Sequence, residues 1–159
     1  MQILAELASM PDEIAGLIAQ VPAAKRTWVP ESWDGIPGEH FTALGQACHL
    51  RDIEIDGYHV RFGRTLREDR PDLASIDSYA LARERNYEAD DAEAAITAFR
   101  KARRETVAML TVTRAADWDR KATFAEYGEV TVLGLAHILR SHDLQHLACL
   151  HWLLAKMAR

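Results

Sequence analysis

Apolar residues recur at helical spacing along most of this chain, in four separate segments. The first covers residues 2–21, where Pro11 is expected to interrupt the helix and Ser9 to cap its restart. The second covers residues 39–67 and ends where Pro71 follows. Between them, residues 22–38 predict a loop because three helix breakers interrupt it: Pro30, Gly35 and Pro37.

The second half of the chain predicts two more long helices. One begins near Asp91, where acidic residues suit the positive end of a helix dipole, and carries Arg103 on its inner stripe. The other covers residues 131–157, with Thr131 as its expected cap. A short helical piece is expected over residues 75–85. Residues 116–131, which turn at Tyr127-Gly128, are consistent with a small β-hairpin before the last helix.

Four amphipathic segments joined by loops of moderate length predict an all-α fold, in which helices pack on helices. The 159 residues form one expected domain, residues 1–159, because no repeat or linker divides them. Trp28 and Trp33, in the loop after the first helix, are expected to pack that loop against the end of the bundle.

Composition excludes several functional classes. The net charge is −5 and the basic residues are scattered, so neither nucleic acid nor an anionic membrane is an expected partner. No apolar run approaches the roughly 20 residues that span a bilayer. The start of the chain lacks the pattern of a signal peptide, and Cys48 and Cys149 fall within apolar helical pattern. Reduced core cysteines and a cytoplasmic location are therefore expected.

Two histidines on the last predicted helix are the strongest chemical signal. His142 and His146 share a face with Leu135, Leu139 and Leu150. Residues four apart place their β-carbons about 5–6 Å from each other. Two such imidazoles can reach one cation at about 2.0–2.1 Å, the bond length for zinc. Buried imidazoles without partners are costly, so this placement favours a metal site over two core histidines.

A third ligand is expected from the second helix, where His49 lies in C-H-L-R-D-I-E. Asp52 shares its face and could orient an imidazole, bind the metal or be solvated. The position of Asp143 beside His142 predicts a surface residue. Four other histidines are disfavoured by their position along or around their helices: His40, His59, His137 and His151.

Two familiar metal motifs do not fit. H-D-L-Q-H, residues 142–146, is similar to the zincin motif H-E-x-x-H, but it has aspartate where that family needs a longer base. Di-iron bundles need Glu-x-x-His pairs, and no glutamate in this chain has a histidine three residues later.

The order of several blocks resembles the DinB-like superfamily, particularly its YfiT-type and DinB_2 groups, over nearly the whole chain. These blocks are E-S-W-D-G-I-P-G, H-L-R-D-I-E, R-P-D-L-A-S-I-D-S-Y, A-D-W-D-R and H-D-L-Q-H-L. The resemblance implies a four-helix bundle with up-down-down-up connections, often dimeric. It also implies a divalent cation such as Zn or Ni, and matches its three histidine ligands to His49, His142 and His146.

Three histidines leave a coordination position open, as in catalytic sites. That position could take a water or the sulfur of a thiol. The resemblance favours a thiol S-transferase that uses a low-molecular-weight thiol and a small-molecule electrophile. A metal-dependent hydrolase and a non-catalytic metal-binding or stress-associated homodimer remain alternatives.

Overall fold

The computed structural model describes residues 1–36, 38–125 and 127–158, so Pro37, one of the expected helix breakers, lies outside the described residues. The helices are α1 (Gln2–Gln20), α2 (Ala43–Asp52), a π-helical segment (Ile53–Tyr58), α3 (His59–Arg67), α4 (Ser78–Glu84), α5 (Ala92–Thr111) and α6 (Val132–Met157). The strands are β1 (Asp72–Leu73), β2 (Lys121–Phe124) and β3 (Gly128–Thr131). Because α2, the π segment and α3 form one continuous rod, the long elements make the predicted four-helix bundle.

Side-chain caps set where α2, α5 and α6 begin. Thr131 Oγ1 accepts the Gly134 N–H at 3.0 Å, as the sequence predicts, and Asp91 caps α5 in the same way through the Ala94 N–H. The second helix begins at Ala43, four residues later than expected, because Thr42 accepts the Gly45 N–H at 3.1 Å. Residues 39–42 are therefore not helical.

The prediction that Pro11 interrupts the first helix is wrong. Helix α1 continues through Pro11, and Ser9 donates within the helix to the Glu6 carbonyl instead of capping a restart. Pro11 has no N–H for the carbonyl of Leu7, four residues earlier. Arg103 Nη1 from α5 donates to that carbonyl at 3.1 Å, so a side chain replaces the missing backbone hydrogen bond.

The predicted hairpin is present as β2 and β3, which pair antiparallel, and β1 adds a parallel third strand. The short helix expected over residues 75–85 is α4, capped by Asp77. This small sheet packs at one end of the bundle, where Phe124 and Val130 join the buried core.

Two apolar clusters fill the bundle, and a layer of buried polar side chains separates them. One cluster contains Leu17, Phe99 and Leu150, and Trp28 and Trp33 pack against it as predicted. The other contains Leu7, Phe62 and Leu135. The polar layer consists of Gln46, His49, Glu54, Arg103, Thr106, Asp143 and His146. None of the described helices is long and apolar enough to cross a membrane.

Candidate metal centre

The three predicted histidines meet on two neighbouring helices, where half-buried His142 lies beside His49 and His146 of the polar layer. Helix α2 carries His49, and α6 carries His142 and His146 one turn apart. The Nε2 atom of His142 lies 3.1 Å from the Nε2 of His49 and 3.1 Å from that of His146. The three rings thus present the same nitrogen to one small volume.

Glu39 joins this cluster, although helical spacing along the sequence does not predict it. Its carboxylate oxygens lie 3.7 Å from His49 Nε2 and 3.6 Å from His146 Nε2. One ligand atom from each of the four residues lies within 4.8 Å of the others. Glu39 reaches the histidines because residues 39–42 turn back before the helix begins at Ala43. The available signal was Thr42, a residue type favoured at helix starts.

Gln46, one turn before His49 on α2, fixes the tautomer of His146. Its side-chain amide donates to the Phe41 carbonyl at 3.1 Å and contacts Cys149 Sγ at 2.9 Å. Its oxygen therefore faces His146 and accepts the Nδ1–H. A neutral imidazole protonated at Nδ1 keeps its Nε2 lone pair free.

The histidines are held neutral. Burial, followed by the neighbouring imidazole of His146, lowers the pKa of His49 well below its ordinary value. Burial and then the charge of a neighbouring histidine lower the pKa of His142 and of His146 in the same way. Imidazole binds metal in its neutral form, so all three rings are in the state that a cation needs.

The donor set fits a divalent cation. Three converging Nε2 atoms cannot satisfy one another, since each proton shared between two rings leaves a third lone pair without a donor. Three imidazoles are ligands that zinc and similar first-row cations accept, and a carboxylate beside them adds negative charge that favours a cation. His146 also has the orienting hydrogen bond that metal-ligating histidines usually make, whereas the Nδ1 atoms of His49 and His142 have no partner among the described residues.

Asp52, considered above as a ligand or an orienting group, has different partners. Its buried carboxylate pairs with Arg51 and Arg85 and accepts the Tyr87 hydroxyl at 2.8 Å. It ties α2 to the segment after α4. Among the described contacts, none joins Asp52 to a site histidine.

The other histidines lie away from the cluster, as expected from their spacing. His137 and His151 are exposed on α6, and exposed His40 stacks on Trp33 with ring centroids 5.2 Å apart. His59 Nε2 hydrogen-bonds the Ala102 carbonyl at 2.9 Å.

Asp143, predicted at the surface, is fully buried. It accepts from Arg103, which also donates to Glu54 through Nε and Nη2 at 2.9 and 2.8 Å. Burial raises the pKa of Asp143 to about 6, against the opposing charge of Arg103. The Arg103 guanidinium thus links α5 to Glu54 of the π segment and to Asp143 of α6, the residue that follows His142. The missed signal was Arg103 itself, since an arginine on an inner stripe requires buried acidic partners.

Comparison with known proteins agrees with this architecture. A model of the DinB superfamily, DinB_2, matches residues 6–150. A solved structure, YfiT from Bacillus subtilis, superposes with a TM-score of 0.85 at 17% identity, covering 99% of this chain and 86% of that one. It is described as a probable metal-dependent hydrolase with an unusual four-helix bundle topology. The search of curated proteins gave no match. The family match over most of the chain shows that this protein belongs to the DinB superfamily.

Proposed function

We propose that this protein is a metal-dependent hydrolase of a small molecule, with His49, His142 and His146 holding a divalent cation and Glu39 accepting a proton. The observation that supports this most is the approach of the Glu39 carboxylate, within 3.7 Å, to imidazole nitrogens that already face one another. When bound, a cation such as Zn or Ni supplies Lewis acidity and lowers the pKa of a water at its open position.

Residues around the histidines orient one ligand ring, position the Glu39 carboxylate and allow its proton to leave. Gln46 holds the His146 ring in the tautomer and orientation that leave Nε2 free. The Ser78 hydroxyl donates to Glu39 Oε1 at 3.4 Å, which positions the carboxylate beside the histidines. The Glu39 side chain is 26% exposed, so a proton that it accepts can pass to solvent.

Glu39 favours water over a thiol as the nucleophile. A thiol on a divalent cation is deprotonated without help, whereas water gains from a neighbouring base. The description of YfiT as a probable metal-dependent hydrolase points the same way.

Thiol S-transfer, which the family resemblance favours, is the second candidate. Burial raises the pKa of Cys48 and of Cys149 to about 12, so neither supplies a thiolate near neutral pH. The sulfur would have to come from a low-molecular-weight thiol.

The variant Glu39→Gln separates these possibilities. With Zn²⁺ or Ni²⁺ bound, the wild-type protein should hydrolyse 4-nitrophenyl acetate, and Glu39→Gln should keep the cation but lose about 10²- to 10⁴-fold in rate. Glu31→Gln, an exposed change in the preceding loop, is the control and should change neither property.

Three results would contradict the hydrolase proposal. Loss of the cation from Glu39→Gln would make Glu39 a fourth ligand of a closed, non-catalytic site. Turnover of 1-chloro-2,4-dinitrobenzene with glutathione, without ester hydrolysis, would indicate S-transfer. Equal hydrolysis by the wild-type protein and Glu39→Gln would remove the carboxylate from the mechanism.

A further inference from the structure

A second feature of this region is a cavity of about 470 Å³ that is lined in part by Phe41, whose ring also stacks on His49. Its walls come from the loop before α2, from the first turn of α2, and from α4 with the turn that follows it. This volume falls within the range of small-molecule sites, about 300–1,000 Å³. None of the roles described above uses it.

Aromatic rings form much of the cavity wall: Trp33, Phe41, Tyr79 and Tyr87. Trp33 already stacks with His40 and with Trp152, with centroid distances of 5.2 and 5.9 Å. Such fixed rings bind a flat apolar group without first having to be ordered. The shape and lining therefore suit an aromatic or similarly flat ligand body.

The polar groups at the cavity favour an anion on that ligand. Arg83, exposed in the last turn of α4, lines the cavity and forms no ion pair among the described residues, whereas nearby Arg85 pairs with two aspartates. The Tyr79 hydroxyl accepts the His40 N–H at 2.9 Å, which leaves its own proton free to donate. Glu88 is the carboxylate at this cavity and would oppose an anion close to it. Because Arg83 and the Tyr79 hydroxyl can both donate, and Glu88 alone opposes them at this cavity, the lining favours a ligand that carries a carboxylate.

Phe41 connects the cavity to the histidine cluster. Its ring stacks on His49 with centroids 5.0 Å apart and contacts Tyr79, a cavity residue, at 5.1 Å. Gly45 permits this position, since a Cβ there would lie 3.1 Å from Phe41 Cβ. The turn over residues 39–42 thus places Glu39 at the histidines and Phe41 at the cavity wall.

We propose that this cavity binds the flat apolar body of a small carboxylic acid, with Arg83 and Tyr79 receiving its carboxylate. Resting on the proposed function, this assigns to the neighbouring centre, as its substrate class, small esters or amides that also carry a free carboxylate on an aromatic or similarly flat body.

The test measures binding of three probes of matched shape by calorimetry: 3-phenylpropionate, its neutral amide 3-phenylpropanamide, and phenethylamine. The carboxylate should bind about tenfold more tightly than the amide, as expected for one charge-assisted contact. Arg83→Gln should bring the two within about twofold of each other. Arg104→Gln, which removes an exposed arginine from a different groove, should leave the preference unchanged. Amide chemical shifts should move at Trp33, Phe41 and Tyr79.

Equal binding of acid and amide would overturn the proposal, and so would shifts confined to other surfaces. Tightest binding of phenethylamine would mean that Glu88 recognises a cation instead. Repeating the titration on His142→Ala, without added cation, separates the two proposals. The cavity assignment predicts the same probe selectivity in that variant as in wild type. If wild type binds the probe but holds no cation and hydrolyses no ester, the cavity assignment stands and the hydrolase proposal fails. If wild type is a metal-dependent hydrolase that does not bind the probe, only the cavity assignment fails.

Discussion

Replacing Arg103 by methionine should destabilise the protein strongly. Arg103 is 1% exposed and donates to Glu54, to Asp143 and to the Leu7 carbonyl. Removing the guanidinium leaves the buried carboxylates of Glu54 and Asp143 without a cation. It also leaves the Leu7 carbonyl without a hydrogen-bond donor, because Pro11 has no N–H. Breaking a buried ion pair by removing one partner costs about 3–5 kcal/mol.

For a chain of this size, that loss corresponds to a fall in Tm of roughly 6–20 °C, at about 2–4 °C per kcal/mol. Chemical denaturation of the metal-free protein at pH 8 measures the free energy directly. Arg100→Met is the matched control on the same helix. Arg100 pairs at 2.8 Å with Asp12, whose side chain is 77% exposed, so this variant should lose less than about 1 kcal/mol.

The difference in free energy of unfolding between wild type and Arg103→Met should shrink as the pH falls. The pKa of Asp143 is already raised to about 6, and removing the Arg103 guanidinium raises it further. A carboxyl group with a raised pKa in the folded state stabilises at low pH, and this contribution is lost as pH rises through that pKa. The gap between the Arg103→Met variant and wild type should therefore narrow between pH 8 and pH 5.5. A loss below about 1 kcal/mol at pH 8, or a gap that does not change with pH, would refute this reasoning.

Two further predictions concern the histidines. Gln46→Leu should weaken Zn²⁺ binding about 10- to 100-fold in a chelator competition, because His146 loses its orienting hydrogen-bond acceptor. Gln20→Leu, at an exposed position of α1, is the control. Equal Zn²⁺ affinities of Gln46→Leu and wild type would contradict this prediction. In the metal-free protein, the free energy of unfolding should fall as pH drops from 6.5 to 5. The reason is that His49, His142 and His146 bind protons in the unfolded chain but stay neutral in the folded protein. Each of these histidines contributes up to about 1.4 kcal/mol per pH unit. Asp143, whose raised pKa makes the folded protein bind one proton in this range, reduces the slope by the contribution of one group. His151→Ala should leave the slope unchanged. A free energy of unfolding that does not change with pH would count against neutral imidazoles in the folded protein.

Local patterns were enough to predict most of the fold. Thr131 and Asp91 act as caps through contacts three residues along the chain, so their positions alone locate the starts of α6 and α5. His142 and His146 share a face because they are four residues apart on one helix. These features depend on spacing, which a sequence shows directly.

The features that were missed depend on distant contacts. Helix α1 passes through Pro11 because Arg103, far along the chain, serves the free Leu7 carbonyl. Asp143 is buried because the same arginine reaches it from α5. Glu39 reaches the histidines because the chain reverses before Ala43, and helical spacing cannot show that reversal. The π segment, which puts Glu54 in the core, likewise has no simple sequence pattern.

The cation content of histidine variants tests the central claim most directly. After equilibration with Zn²⁺ or Ni²⁺ and removal of free metal, elemental analysis should find one cation per chain in wild type and in His40→Ala and His151→Ala. His49→Ala, His142→Ala and His146→Ala should hold almost none while keeping their helical circular dichroism, because each removes one of the three converging nitrogens. Full metal content in folded His142→Ala, or its loss from His40→Ala, would show that the cation site lies elsewhere.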